Sequence, residues 1–187
     1  VHLPVQSGSN KILKEMNRKH SIEEYLEIIN KLKKAKSEIK FSSDFIIGYP
    51  GETLQDFQKT LELMNDLKFI NSFSYIFSAR PGTPAFYLDK IDQSEAKKRL
   101  IRFQTIAEKI KIIYRDSLIN KISNVLFENK INNENKYFGR DEFLNSVIVK
   151  SNDNLVGEVK RVKIKNGNRN TLYGEIFSDM SQKHYAA

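Results

Sequence analysis

The chain has 187 residues, of which 40% are hydrophobic and 29% charged, and its formal net charge is +8. No apolar run approaches the roughly 18–20 residues that cross a bilayer, and the first apolar stretch is too broken by polar residues for a signal peptide. We therefore expect a cytoplasmic protein rather than a membrane protein. The positive charge suits a polyanionic partner, although a merely basic soluble protein fits the charge equally well.

The sequence contains no cysteine, so this chain supplies neither disulfides nor thiolate ligands for zinc or an iron–sulfur cluster. The three histidines His2, His20 and His184 are too scattered to indicate a metal site. The first residue is Val1, which already lies in an extended apolar segment. Because a domain seldom begins inside such an element, we expect the chain to be a fragment of a longer protein.

Strands and helices alternate through the first 118 residues. Ser21 and Glu24 have the spacing of a capping box, Thr53 is placed to cap a second helix, and Ser94 is placed to open a third. The predicted order is strand 1–5, helix 11–18, helix from 21, strand 41–47, helix from 53, strand 73–77 and helix 94–117. Such alternation pairs strands in parallel, in an open sheet or a barrel. Three strands leave an edge unpaired, which again predicts missing N-terminal strands.

The second part of the chain has a different pattern. Short β-branched or alternating runs, separated by Asn, Asp and Gly turns, lie at 121–128, 136–139, 145–150, 156–164 and 171–177. Five such strands predict a small barrel of the OB type, a common oligonucleotide binder. We therefore divide the chain into an α/β domain at 1–118, an all-β barrel at 119–180 and a disordered tail at 181–187. Asn120 follows the long helix, where a left-handed cap is expected.

Ligands bind at the carboxyl ends of parallel strands, which here are the loops 6–10, 48–52 and 78–84. Gln6 and Ser7 carry groups that hydrogen-bond a ribose, although a helix cap at Ser9 or Asn10 explains the first loop as well. Gly48 begins a turn whose amides suit an anion, or which is an ordinary loop. Arg80 suits a phosphate or carboxylate, or a surface ion pair.

Aromatic and basic side chains mix in the barrel region. That combination fits stacking and phosphate contact with RNA, and Phe138 belongs either to this surface or to the core. We predict the RNA-binding residues to be Tyr137, Arg140, Lys160, Arg161, Lys163 and Arg169. Neither a nucleophilic triad nor a phosphate-binding glycine loop occurs, so we assign no catalytic residue.

Four segments taken together resemble the radical S-adenosylmethionine methylthiotransferases. They are residues 1–10 (VHLPVQSGSN), 16–18 (MNR), 43–53 (SDFIIGYPGET) and 80–85 (RPGTPA). The first and third segments most resemble the MiaB type, which acts on tRNA. The barrel resembles the RNA-binding TRAM domain that ends these enzymes. Fold class is thus expected to be the C-terminal half of a partial (β/α) barrel followed by an OB-like barrel.

The resemblance implies transfer of a methylthio group to C2 of N6-isopentenyladenosine beside the tRNA anticodon. It implies S-adenosylmethionine and two [4Fe-4S] clusters as cofactors, with the cluster cysteines in a missing N-terminal half, so this chain alone is expected to be an inactive monomer. The same likeness implies how S-adenosylmethionine would be bound. Gln6 and Ser7 would approach its ribose, and Arg18 would approach the charged methionine end. Ile46 and Gly48 would flank its adenine, and Arg80 would line the site. Two alternatives stay open: an RNA-binding adapter, and a sister enzyme acting on threonylcarbamoyl-adenosine or a ribosomal protein.

Overall fold

A computed structural model of the chain describes residues 1–131 and 134–178. The helices are α1 (Asn10–Glu15), α2 (Ile22–Ala35), α3 (Leu54–Leu67) and α4 (Gln93–Asp116), with a short 3₁₀ helix at Pro84–Tyr87. The strands are β1 (Ser42–Ile47), β2 (Asn71–Ile76), β3 (Ile122–Lys130), β4 (Lys136–Asp141), β5 (Ser146–Lys150), β6 (Val159–Gly167) and β7 (Leu172–Ile176). Among the described residues no helix is long and apolar enough to cross a membrane.

The chain divides into two compact units, Val1–Lys111 and Ile112–Ala187. The division falls inside α4, whereas the sequence suggested a boundary at residue 118, and the domain limits stay a prediction. The tail expected to be disordered, 181–187, lies outside the described residues.

The first unit is built on a parallel pair of strands, as the sequence predicted. β1 and β2 pair from Ser42 opposite Asn71 to Ile47 opposite Ile76. One face of β1 is fully buried, and there the Phe45 ring lies 5.6 Å from Phe69 and 4.7 Å from Phe103. Because side chains alternate along a strand, Asp44 and Ile46 point to the opposite, partly exposed face.

The first residues run parallel to β1 but do not form the strand predicted at 1–5. Only isolated bridges, His2 to Ser42 and Gln6 to Phe45, join this segment to the sheet. The Val5 N–H donates to the Ser43 hydroxyl at 3.0 Å instead of to a carbonyl of β1. The pairing is therefore interrupted between the two bridges.

Helix starts follow the predicted capping chemistry at two of three places. Complete capping boxes open α2 at Ser21 and α3 at Thr53, as expected. The predicted start of the long helix at Ser94 is one residue late, because α4 begins at Gln93. The Asp92 carboxylate accepts hydrogen bonds from the backbone N–H groups of Ser94 and Glu95 instead.

The second unit contains a closed five-stranded barrel with the strand order β3-β4-β5-β7-β6. β5 and β7 pair in parallel and the other neighbours are antiparallel, which confirms the predicted small closed barrel. Its interior is filled by Val125, Phe127, Val147, Val162 and Ile164, all fully buried. Asn120 adopts the expected left-handed conformation, with φ of 65°, and its N–H donates to the Ile164 carbonyl at 2.8 Å.

The carboxylate of Asp56 joins the chain before α1 to the start of α3. Burial acts to raise the pKa of Asp56, but hydrogen bonds from Ser9 at 2.6 Å and Thr53 at 2.7 Å lower it from 3.8 to about 2. Because the pKa is lower in the folded state, ionised Asp56 stabilises the fold above about pH 4. That stabilisation is lost as the pH falls through about 2.

We expect Asp56→Asn to lower the free energy of unfolding at neutral pH by about 2 kcal/mol. The variant should also lose the part of the pH dependence of stability that Asp56 contributes, between about pH 4 and pH 2. Urea titrations followed by far-UV circular dichroism at several pH values measure both quantities. Asp66→Asn, at an exposed position of the same helix, is the matched control and should change neither. Equal stability of Asp56→Asn and the wild type at neutral pH would contradict this account.

Candidate functional site

A cleft of about 700 Å³ lies at the carboxyl ends of β1 and β2. Its walls come from the end of α1 and the following loop, from the partly exposed face of β1, and from the loop after β2. This is where the parallel pairing predicted a ligand site. The lining combines apolar, amide, cationic and carboxylate groups, so it suits a ligand that is both apolar and charged.

Four of the six predicted cofactor-binding residues line this cleft: Gln6, Arg18, Ile46 and Arg80. Ile46 comes from β1, Arg18 from the loop after α1, and Arg80 from the loop after β2. The two arginines are exposed, so either can meet an anionic group of a ligand.

Gln6 has an unusual backbone conformation, with φ of 77°. Its N–H donates to the Asp44 carbonyl and its carbonyl accepts from Ile46, both at 2.9 Å, so β1 holds it in place. A non-glycine residue in this region costs about 1–3 kcal/mol and is found most often at functional sites. The conformation therefore places an amide side chain at the wall of the cleft at an energetic cost.

Ser7 and Gly48, the other two predicted residues, lie outside the cleft. Ser7 is fully buried, and its hydroxyl accepts a hydrogen bond from the Ser9 N–H at 3.2 Å. Gly48 has a φ of 76°, and a Cβ there would lie 2.9 Å from the Cβ of Ala96. These positions serve close packing and the turn. Neither residue lines the cleft, and the ribose contact of Ser7 and the adenine contact of Gly48 stay predictions.

The helix-cap alternative for the first loop is also wrong in detail. Ser9 precedes α1 but makes no side-chain cap there, because its hydroxyl donates to Asp56 at 2.6 Å. The Asn10 amide oxygen accepts from the Ile22 N–H at 2.7 Å, so it serves the start of α2 rather than α1.

The turn at Gly48 does bind an anion, but the anion belongs to the protein. The Glu52 carboxylate accepts from the Gly48 N–H at 3.0 Å and from the Arg99 guanidinium at 3.0 Å. Burial raises the pKa of Glu52, and the hydrogen bonds from Arg99 and Gly48 oppose that rise. The predicted anion site is thus filled from within and helps to fix the turn beside the cleft.

Sequence reasoning named neither Glu15 nor Tyr75, and it included Tyr49 only as part of the loop 48–52, yet all three line the cleft. The Tyr49 hydroxyl donates to the Glu15 carbonyl at 2.9 Å, and burial followed by the Glu15 charge raises the pKa of Tyr49. Tyr75 stands opposite Ile46 in the β1–β2 register. Applying the two-residue alternation to both β1 and β2 would have placed Tyr75 on the cleft face. The contact of Glu15 with Tyr49 depends on how α1 packs, which the alternation does not give.

Asp44 lies on the cleft face beside His2. The His2 ring nitrogens are 2.9 Å from the Ser42 hydroxyl and 3.3 Å from the Asp44 carboxylate. The His2 side chain is exposed. Within residues 1–131 and 134–178, no group of His, Asp and Glu side chains could hold a metal ion.

In the barrel unit, two of the predicted RNA-binding side chains do not share the outer surface of the strands. Tyr137 is only 3% exposed and belongs to the barrel core, so its ring is unavailable for stacking, while Phe138 points outward. On β6, Arg161 and Lys163 point outward, but Lys160 alternates to the other side and pairs with Glu158 at 3.2 Å. Arg140 lies on the outer face of β4, and Arg169 lies in the turn after β6.

Residues 1–64, which lie in the α/β unit, match the model of the Radical SAM superfamily. Three similar proteins are named tRNA-2-methylthio-N(6)-dimethylallyladenosine synthase. The protein of Pelagibacter ubique is 52% identical over 98% of this chain, and that of Buchnera aphidicola is 46% identical over 93%. The protein of Wolbachia pipientis subsp. Culex pipiens is 44% identical over 93%.

These matches confirm the resemblance predicted from the four sequence segments: the chain is homologous to these synthases over nearly its whole length. It spans only 40–41% of the length of the three relatives. Because the matches cover 93–98% of this chain, the similarity includes both its α/β unit and its barrel.

The positive φ of Gln6 gives a direct test of the backbone at the cleft. We expect Gln6→Gly to be more stable than Gln6→Ala by about 1 kcal/mol, because only glycine adopts this conformation without strain. Thermal denaturation of the two variants measures the difference. The same pair of substitutions at Lys14, inside α1, should give the opposite order, with alanine the more stable. The same order at both positions would contradict a strained Gln6.

Proposed function

We propose that this chain is part of a tRNA methylthiotransferase that converts N6-dimethylallyladenosine in tRNA to its 2-methylthio derivative. The similarity to the named synthases over 93–98% of the chain carries this proposal. The chain contributes a wall of the cofactor site and an RNA-binding barrel. Because it has no cysteine, iron–sulfur clusters would be held by other parts of the enzyme, and this chain alone would be inactive.

The residues of the cleft fit S-adenosylmethionine. Arg18 and Arg80 can bind its carboxylate, Gln6 can hydrogen-bond the ribose, and Ile46 with Tyr75 offers an apolar surface for the adenine. The carboxylates of Glu15 and Asp44 suit the positive charges of the methionine moiety. When bound, the cofactor supplies the radical that activates the substrate carbon. The residues of this chain orient the cofactor for that step.

The barrel supports tRNA as the partner. Arg140 points outward from β4, and Arg161 and Lys163 point outward from β6, so the three lie on either side of β3 where they can meet phosphates. A closed barrel leaves no sheet edge for pairing, so its outer strand faces and loops are what remain for a partner. Tyr137 is buried in the barrel core and does not take part in this contact.

Deletion of the gene that encodes this chain should abolish 2-methylthio-N6-dimethylallyladenosine in tRNA. N6-dimethylallyladenosine should accumulate in its place, because only the later step is lost. Mass spectrometry of nucleosides from total tRNA measures both, with pseudouridine in the same digests as the control. An unchanged level of the methylthio nucleoside would rule out the proposed reaction.

Variants of the same gene test the cleft. Arg80→Gln should reduce the methylthio fraction at least about tenfold when the altered gene replaces the original, since a hydrogen bond to a charged group contributes roughly 1.5–3 kcal/mol. Lys14→Gln, an exposed change outside the cleft, is the matched control and should restore the modification fully. Western blots confirm equal amounts of protein. Full activity of Arg80→Gln would remove Arg80 from the cofactor site.

A further inference from the structure

Two arginines on the outer surface of the barrel lie over phenylalanine rings. The guanidinium carbon of Arg140 is 5.4 Å from the centroid of Phe138, and that of Arg161 is 4.9 Å from Phe177. Arg140 and Phe138 share the outer face of β4, two residues apart. The Phe177 N–H donates to the Arg161 carbonyl at 2.8 Å, which keeps the second pair together. A guanidinium over a ring is a flat cationic surface of the kind on which nucleobases stack.

Exposed apolar side chains lie beside the two pairs. Leu126 is 47% exposed and Val159 is 61% exposed. In the strand register Leu126 pairs with Arg140 on one side and with Val159 on the other, so these three form one row across β4, β3 and β6. Contiguous exposed apolar groups flanked by cations are typical of a binding surface rather than of a merely solvated one.

The spacing of the two pairs restricts what can bind. β4 and β6 flank β3, and Arg161 pairs with Asn124, two residues along β3 from the partner of Arg140. The Cα atoms of the two arginines are therefore separated by two strand spacings across the sheet and two residues along it, roughly 12 Å. Bases inside a nucleic-acid helix are about 3.4 Å apart, and their faces are covered by their neighbours. Both guanidinium surfaces can therefore stack only on bases that have left a helix.

Charge alone does not explain this surface. Glu128 lies 3.2 Å from the Arg140 guanidinium and offsets part of its charge while fixing its position. An oriented guanidinium contributes a planar contact that a mobile cation lacks.

We propose that this surface binds unpaired RNA nucleotides by stacking their bases on the two Arg–Phe pairs, and that it prefers single strands to duplex. It is called the stacking face and consists of Leu126, Phe138, Arg140, Val159, Arg161 and Phe177. The inference rests on the proposed function and adds to it that the barrel binds a loop rather than a helical stem. Lys163, on the outer face of β6, adds a phosphate contact without base selection.

Fluorescence anisotropy with the 187-residue chain tests this proposal. The probes are a labelled RNA of about 12 nucleotides without self-complementarity and the duplex of the same sequence. The wild type should bind the single strand at least about tenfold more tightly. Phe138→Leu and Phe177→Leu should each weaken single-strand binding about five- to tenfold, because base stacking is lost while apolar volume is kept. Tyr173→Leu, at another exposed aromatic of the barrel, is the matched control and should bind normally.

Arg140→Lys and Arg161→Lys separate stacking from charge. They should weaken single-strand binding to a similar extent but leave the slope of log Kd against log salt unchanged, because the number of charges is kept. Circular dichroism melts verify folding, and the two exposed lysine substitutions decide the question if a phenylalanine variant unfolds.

Equal affinity for single strand and duplex, or lysine variants that bind as tightly as the wild type, would overturn the stacking proposal. If salt-sensitive RNA binding persists in that case, the proposed function stands and only the inference fails. A wild-type chain that binds neither probe at low salt would contradict both.

Discussion

The two-residue period of β1 decides both the core and the cleft of the first unit. Burial of Phe45 and Ile47 against the helices fixes the register, since a shift by one residue would exchange the two faces. With that register fixed, Asp44 and Ile46 must face the other way, opposite Phe73 and Tyr75 of β2. The same apolar contacts that stabilise the unit therefore position the groups available to a ligand.

The turn after β1 adds a second constraint to the cleft. Arg99 of α4 donates to both the carbonyl and the carboxylate of Glu52, and it also lies near the Phe57 ring. A buried ion pair contributes little net stability but makes the loss of one partner costly, because the other charge stays buried. The main effect of this ion pair is therefore on geometry. It holds α4 against the turn, and the Glu52 carboxylate accepts the hydrogen bond of the Gly48 N–H. A ligand in the cleft meets a preformed wall at this end.

The fold was largely predictable because its signals are local and repeated. Apolar periodicity identified the helices, the alternation of elements gave parallel pairing, and five short runs gave the barrel. The failures have physical causes that a periodic pattern does not carry. The Ser43 hydroxyl takes the Val5 N–H and so interrupts the pairing of the first segment. Asp92 rather than Ser94 accepts the first free amides of α4. At the site, residue type was the weaker guide: Ser7 and Gly48 have suitable chemistry, but burial and close packing remove them from the cleft.

The barrel shows the same distinction between residue type and side-chain direction. Tyr137 and Phe138 are neighbours of similar chemistry, and so are Lys160 and Arg161, yet in each pair one member points away from the outer face. Closure of the barrel makes this choice, because Tyr137 is drawn into a core with Val149 and Leu172. What faces outward is therefore set by the packing of the interior, and a basic composition becomes an ordered surface only through that packing. In both units, the packing of the apolar core determines which polar side chains stay exposed, and only those exposed side chains can contact a ligand or partner.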